Sequence, residues 1–183
     1  MCFALSVEKP SDRVADIYNT QTACNGVKYN IQKEKSNMEQ FNNFLRAVDP
    51  KHQEFVKSTH DTLIAFGCNI KIENKASGYF VRYSHPKTKK SLLNFLFRKK
   101  GLLARIYPQT VNTEIVGNLP NTMIAEIDKQ TSCDMCNEKC PGGYVFSIRE
   151  QSFNKCRYNA FLFAITDESK PILTDWIKDE IKG

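Results

Sequence analysis

Four of the chain's seven cysteines fall within 24 residues: Cys133, Cys136 and Cys140 in "TSCDMCNEKCPGGYVF", and Cys156 in "NKCRYNAF". The spacing is C-x2-C-x3-C-x15-C. Two thiolates separated by two residues can both reach one ion, and four complete the tetrahedral shell of a structural zinc. Gly142 and Gly143 would let the backbone turn tightly beside such a site. The site expected is therefore a zinc ion held by Cys133, Cys136, Cys140 and Cys156, fastening a loop to a neighbouring hairpin and adding to folding stability. "CDMCNEKCP" also matches the latter part of a ferredoxin-type cluster motif, so an iron–sulfur cluster is one alternative. A reversible disulfide is another, and absence of any metal, with the cysteines acting as small buried hydrophobes, is a third. A closed four-thiolate shell leaves no open coordination position, which argues against hydrolytic chemistry there.

Other catalytic candidates are sparse. The three histidines, His52, His60 and His85, are scattered, and no zinc-protease, nucleophile-elbow, phosphate-loop or dinucleotide fingerprint is present. Cys2 becomes N-terminal if Met1 is removed, but nothing else supports an N-terminal nucleophile. Cys68 is expected to pack in the interior and Cys24 to be an exposed thiol. The reading is a binding protein rather than an enzyme, with thiol redox chemistry at the cysteine cluster as the enzymatic alternative.

Charge supplies the second candidate site. The chain carries +6, yet residues 71 to 105 alone hold ten Lys or Arg against the single acid Glu73, which leaves a net −3 elsewhere. Arg82, His85, Lys87, Lys89, Lys90, Arg98, Lys99, Lys100 and Arg105 alternate with Tyr79, Phe80, Tyr83, Phe95, Phe97 and Tyr107. Cations attract phosphate and aromatic rings stack on bases, so the composition suits single-stranded nucleic acid; an acidic protein is the other partner class. The competing reading is a solvated face. The lysines concentrate in "HPKTKK" and "RKKG", and turns at opposite strand ends would split the patch.

The elements that position these residues follow from periodicity. Residues 1–35 read as a polar extension and 36–183 as one α+β domain. "SNME" from Ser36 has the form of a capping box, followed by Phe41, Phe44, Leu45 and Val48 at helical spacing. Asp49 and Pro50 start a second helix, with Phe55, Val56, Thr59, Leu63 and Phe66 inward and Gly67 as its stop. "CNIKIE", "GYFVRYS", "SLLNFLFR" and "LLARIYP" predict four consecutive antiparallel strands. A helical region over 112–130 breaks at Pro120 and buries Ile115, Leu119, Ile124 and Ile127. "GYVFSIRE" and "KCRYNAFLFAI" predict two more strands turning near Gln151 and Ser152, and a last helix over 168–181 buries Ile172, Leu173, Trp176 and Ile177. The fold class is α+β: two layers, an antiparallel sheet of about six strands with helices on one face.

"SGYFVRYSHPKTKKSLLNFLFRKKGLLARIY" and "KCRYNAFLF" resemble segments of a family of small proteins from clostridia and related bacteria, over residues 40 to 182. The pattern of strands, "LFRKKGLLARIY" and a C-terminal amphipathic helix is also similar to the small α+β domains of the YdhG-like group. Neither resemblance implies a catalytic residue. The opening "MCFALSVEKPSDRVAD" has no cationic start or long apolar stretch, so a cytoplasmic, reducing location is expected, where clustered thiols bind metal or stay free. No apolar run approaches the ~20 residues of a membrane span. Pairing through a sheet edge would make a homo-oligomer.

Overall fold

The computed structural model describes residues 25–99, 101–134 and 138–182, with side chains from Ser36 onward. The chain divides into two compact units, Met1–Gln40 and Phe41–Gly183. Helix α1 spans Asn25–Ala47. Ser36 therefore lies inside this helix, not at its start, and the capping-box reading is corrected. Its hydroxyl accepts from Gln40 Nε2 one turn on, at 3.5 Å. The motif is purely local and fits a helix interior as well as a helix entrance.

In the second unit, α2 (Pro50–Ala65) begins and ends as its sequence dictates. The Asp49 carboxylate accepts the Lys51 N–H at 3.1 Å, and Pro50 occupies the first turn. Gly67 takes φ +89°; its N–H donates to Ile64 and that of Cys68 to Leu63. These paired bonds form a Schellman stop, which favours a residue free of a Cβ. Val56, Thr59, His60 and Leu63 are buried, while Phe66 is more than a third exposed. The inward stripe thus includes His60 in place of Phe66. His60 Nδ1 meets the Tyr83 hydroxyl at 2.9 Å, and its ring stacks on Phe41 at 3.6 Å.

Strands β1 (Asn69–Lys75), β2 (Gly78–Ser84), β3 (Ser91–Arg98) and β4 (Gly101–Ile106) form the expected antiparallel meander. Helix α3 (Thr113–Gly117) and α4 (Asn121–Asp128) follow, split at Pro120. Leu119 and Ile127 are buried as expected; Val116 and Met123 are buried with them, and Ile115 and Ile124 are only partly covered. Then come β5 (Tyr144–Ile148), β6 (Gln151–Lys155), β7 (Phe161–Ala164) and α5 (Ser169–Lys182). The main sheet has the order β1-β2-β3-β4-β7, and β5 and β6 make a separate hairpin.

The expectation of two strands after the cysteine loop becomes three. The hairpin turns at Arg149, with φ +55°, and Glu150, two residues earlier than expected. The run "KCRYNAFLFAI" breaks at residues 156–160, where Asn159 and Ala160 N–H groups both donate to the Cys156 carbonyl. That turn lets β7 leave the hairpin and pair with β4. The free N–H of Ala164 on β7 donates to the Glu126 carboxylate at 3.2 Å. A helix side chain thereby satisfies a group that would otherwise present an open sheet edge.

Helices lie against the sheet face that carries Val81, Tyr83, Phe95, Ala104, Phe161 and Phe163, all fully buried. Trp176 of α5 packs edge-on to Phe161 at 4.9 Å, and Phe44 stacks on Phe95 at 6.2 Å. No helix among the described residues is long and apolar enough to cross a membrane.

Candidate functional site

The cysteine segment is laid along β6. Lys155 is buried, and its ammonium donates to the carbonyls of Asp128 at 2.6 Å and Gln130 at 3.0 Å. These are groups that α4 leaves unsatisfied at its C-terminus, where a cation also suits the helix dipole. The chain then runs antiparallel to β6: Ser132 pairs with Lys155, Cys156 N–H donates to Thr131 and Cys133 N–H donates to Asn154. Alternation along this short ladder sets Cys133 and Cys156 on the same side. Gly143 closes in from the loop. A Cβ there would stand 2.5 Å from the Cys133 Cβ and 2.6 Å from the Lys155 carbonyl oxygen.

Cys133, Cys140 and Cys156 are free thiols, each half-buried. Cys156 sits just past the end of β6, at the start of the turn, and not within a strand as expected. Among the described residues no three His, Cys, Asp or Glu side chains gather into a group able to hold a metal. Cys136 lies outside the described residues, as do Cys2 and Cys24. Cys68 packs in the core, where burial pushes its thiol up to about 11. It is inert for that reason.

The basic residues occupy three places. β2, β3 and β4 run alternately up and down, so the turn over 85–90 and the turn after Arg98 lie at opposite ends of β3. An eight-residue strand separates them by about 27 Å. Arg98 and Lys99 belong to the far end; Lys100 is outside the described residues. Arg82 and Arg105 lie on the sheet face opposite the helices, each paired in register with Asn94 between them. Arg82 covers the Phe80 ring at 5.4 Å, and Arg105 donates to the Tyr107 hydroxyl at 3.3 Å. Lys71 and Lys75 are committed to Glu73, whose carboxyl their hydrogen bonds hold down at about 2.

Lys87, Lys89 and Lys90 share the near end. His85 organises their turn. Its Nδ1 accepts the N–H groups of Lys87 at 3.1 Å and Thr88 at 3.2 Å, so the ring proton belongs on Nε2. Its own N–H and C=O close the loop to Lys90 and Lys89. Lys89 adopts φ +59° and donates to the Pro86 carbonyl. Among the described residues, none of these three lysines forms an ion pair with an acid.

Beside this turn lies a cavity of about 310 Å³, bounded by residues 88, 90–92 and 107–109 and by Tyr144, Arg157 and Tyr158. The Arg157 guanidinium sits 4.3 Å above the Tyr144 ring. Tyr144 in turn donates to the Pro108 carbonyl at 2.7 Å. Burial pushes the Tyr144 hydroxyl up to about 12, with Arg157 opposing the shift, so it stays a donor at neutral pH. Sequence reasoning placed Arg157 and Tyr158 inside a strand and missed them. The polar "RYN" interrupting an apolar run was the available signal for a turn. The remaining histidines are neutral packing groups: burial lowers the pKa of both His52 and His60.

No family model, curated protein or solved structure matches the chain.

Proposed function

We propose that this chain is a binding protein that engages single-stranded nucleic acid at the end of the sheet carrying Lys87, Lys89, Lys90 and Arg157. The supporting observation is a set of cations without acidic partners among the described residues, beside the exposed ring of Tyr158. Cations alone would serve an acidic protein equally well. The adjacent aromatic ring favours nucleic acid, because bases offer a stacking face and acidic side chains do not. Arg98 and Lys99, at the other end of β3, belong to a separate region in this reading, too distant to join the same contact.

The test is fluorescence anisotropy of labelled single-stranded oligonucleotides against the full chain, in rising salt. Binding is expected to weaken linearly on a log–log plot, each neutralised phosphate adding about 0.7 to the slope. Replacing Lys87, Lys89 and Lys90 together by Ala should reduce that slope by about 2, since three phosphate contacts are removed. No binding at low salt, or a slope unchanged by the triple substitution, would overturn the reading.

A structural zinc at Cys133, Cys136, Cys140 and Cys156 is the second part of the proposal. Its support is the cysteine spacing, together with the pairing that holds Cys133 and Cys156 on adjacent segments. The three described thiols are not gathered as ligands, so no chemistry is derived through the ion. Elemental analysis of protein purified without added metal should give one zinc per chain. Metal-free protein with freely titrating thiols would discard it, and stoichiometric iron would favour the cluster alternative.

A further inference from the structure

The cavity beside the 85–90 turn is more specific than a charged surface. Two cations, Lys90 and Arg157, line it and no acid does. Thr88 and Ser91 add hydroxyls, and Tyr107 and Tyr158 add rings. Its volume, about 310 Å³, lies at the lower end of pockets that enclose small ligands.

Arg157 is the informative residue. Its Nε is buried and has no hydrogen-bond partner among the described residues. A buried donor left so is costly, and the N–H groups at the outer end of the guanidinium are those a ligand in the cavity can reach. The guanidinium rests over the Tyr144 ring at 4.3 Å, and that ring is held by its bond to Pro108. A guanidinium held in this way presents a preorganised fork, which matches phosphate oxygens in pairs. Tyr158, the next residue, leaves 59% of its surface exposed, so one ring face is free to stack. The turn that carries both is closed by the Cys156 carbonyl. Glu180 does not line the cavity, but it accepts the N–H of Gln109, a residue of the cavity wall, at 3.1 Å.

We propose that this cavity binds one nucleotide, its phosphate on Arg157 and Lys90 and its base against Tyr158. The choice of a nucleotide among phosphate-bearing ligands rests on the nucleic-acid reading above. The nucleotide has two possible sources, a free nucleoside monophosphate or one unit of a bound strand, and both present the same phosphate and base.

The experiment is calorimetric titration of the full chain with AMP, UMP, adenosine and inorganic phosphate, alongside the oligonucleotide assay. The monophosphates should bind at least ten-fold tighter than adenosine or phosphate alone. Tyr158→Ala, at an exposed position, should weaken them roughly five- to 160-fold by loss of stacking. Arg157→Lys keeps the charge but loses the fork, and should weaken them about ten-fold or more. Monophosphates that bind no tighter than phosphate, or that ignore both substitutions, would overturn the proposal. Monophosphate binding without oligonucleotide binding would retain the cavity as a free-nucleotide site and remove the nucleic-acid reading. Oligonucleotide binding that depends on the turn lysines but not on Arg157 or Tyr158 would do the reverse.

Discussion

Lys155→Met should destabilise the protein by about 2–4 kcal/mol. The ammonium is held by the carbonyls of Asp128 and Gln130. Hydrogen bonds to a charged group contribute about 1.5–3 kcal/mol each. Met fills similar volume but leaves both carbonyls without this donor. Part of the loss is returned, because a buried cation no longer has to be desolvated. The carboxylate of Asp128, 3.9 Å away and 62% exposed, adds little. Asp128→Asn should therefore stay within about 0.5 kcal/mol of the parent, as exposed pairs do. Urea unfolding measures both. Equal effects of the two substitutions would mean that the ion pair, not the carbonyl clamp, holds the α4 terminus. Hydrogen exchange adds a local readout: the Cys133 and Cys156 amides should lose protection in Lys155→Met, because their partners lie on the segments that Lys155 ties together.

Which parts of this architecture were legible in the sequence follows from the range of the forces involved. The Asp49–Pro50 start and Gly67 stop of α2 act within a few residues, so composition alone locates them. The meander from β1 to β4 was equally readable, since each strand alternates and each connection is short. The break after Lys155 was not. Its apolar flanks continue a strand pattern, and what turns the chain is the gain from pairing Phe161–Ala164 with β4, more than fifty residues earlier. Arg149 conceals its turn in the same way, by adopting a positive φ without being Gly, Asn or Asp.

The sites show the same division. A count of charges between Lys71 and Arg105 finds the basic segment but carries no strand direction, and direction decides which lysines meet. Arg157 joins the 85–90 turn only through tertiary packing, by way of Tyr144 and Pro108. Lys155 and Glu180 read as surface residues from their type. Each is buried because a distant backbone group needs a partner, Asp128 and Gln130 for the first and Gln109 for the second. The cysteine spacing was visible at once, but the β6 ladder pairs Cys133 with Asn154 and Cys156 with Thr131, so the two thiols lie diagonally and the described cysteines do not gather.

Gly143→Ala should cost about 3 kcal/mol or more, well above Gly142→Ala. At Gly143 the added carbon would meet the Cys133 Cβ at 2.5 Å, the Lys155 carbonyl oxygen at 2.6 Å and the Asn154 Oδ1 at 2.8 Å. Only the last can swing aside. A backbone carbonyl of β6 and the first carbon of Cys133 move only if the ladder between 131–133 and 154–156 moves with them. Overpacking of this kind costs about 1–3 kcal/mol where side chains can yield, and more where backbone must. Gly142 has φ +78° but open space around its Cβ position. Its substitution carries only the left-handed penalty, about 1 kcal/mol. Chemical denaturation of the two variants should rank them in that order, and comparable losses would show that conformation, not contact, fixes the glycine pair. Combining Gly143→Ala with Cys133→Gly removes the 2.5 Å contact but leaves the one at 2.6 Å to the Lys155 oxygen, so rescue should be partial. Full rescue would place all the strain on the thiol-bearing segment and make the Cys133 side chain the reason for Gly143.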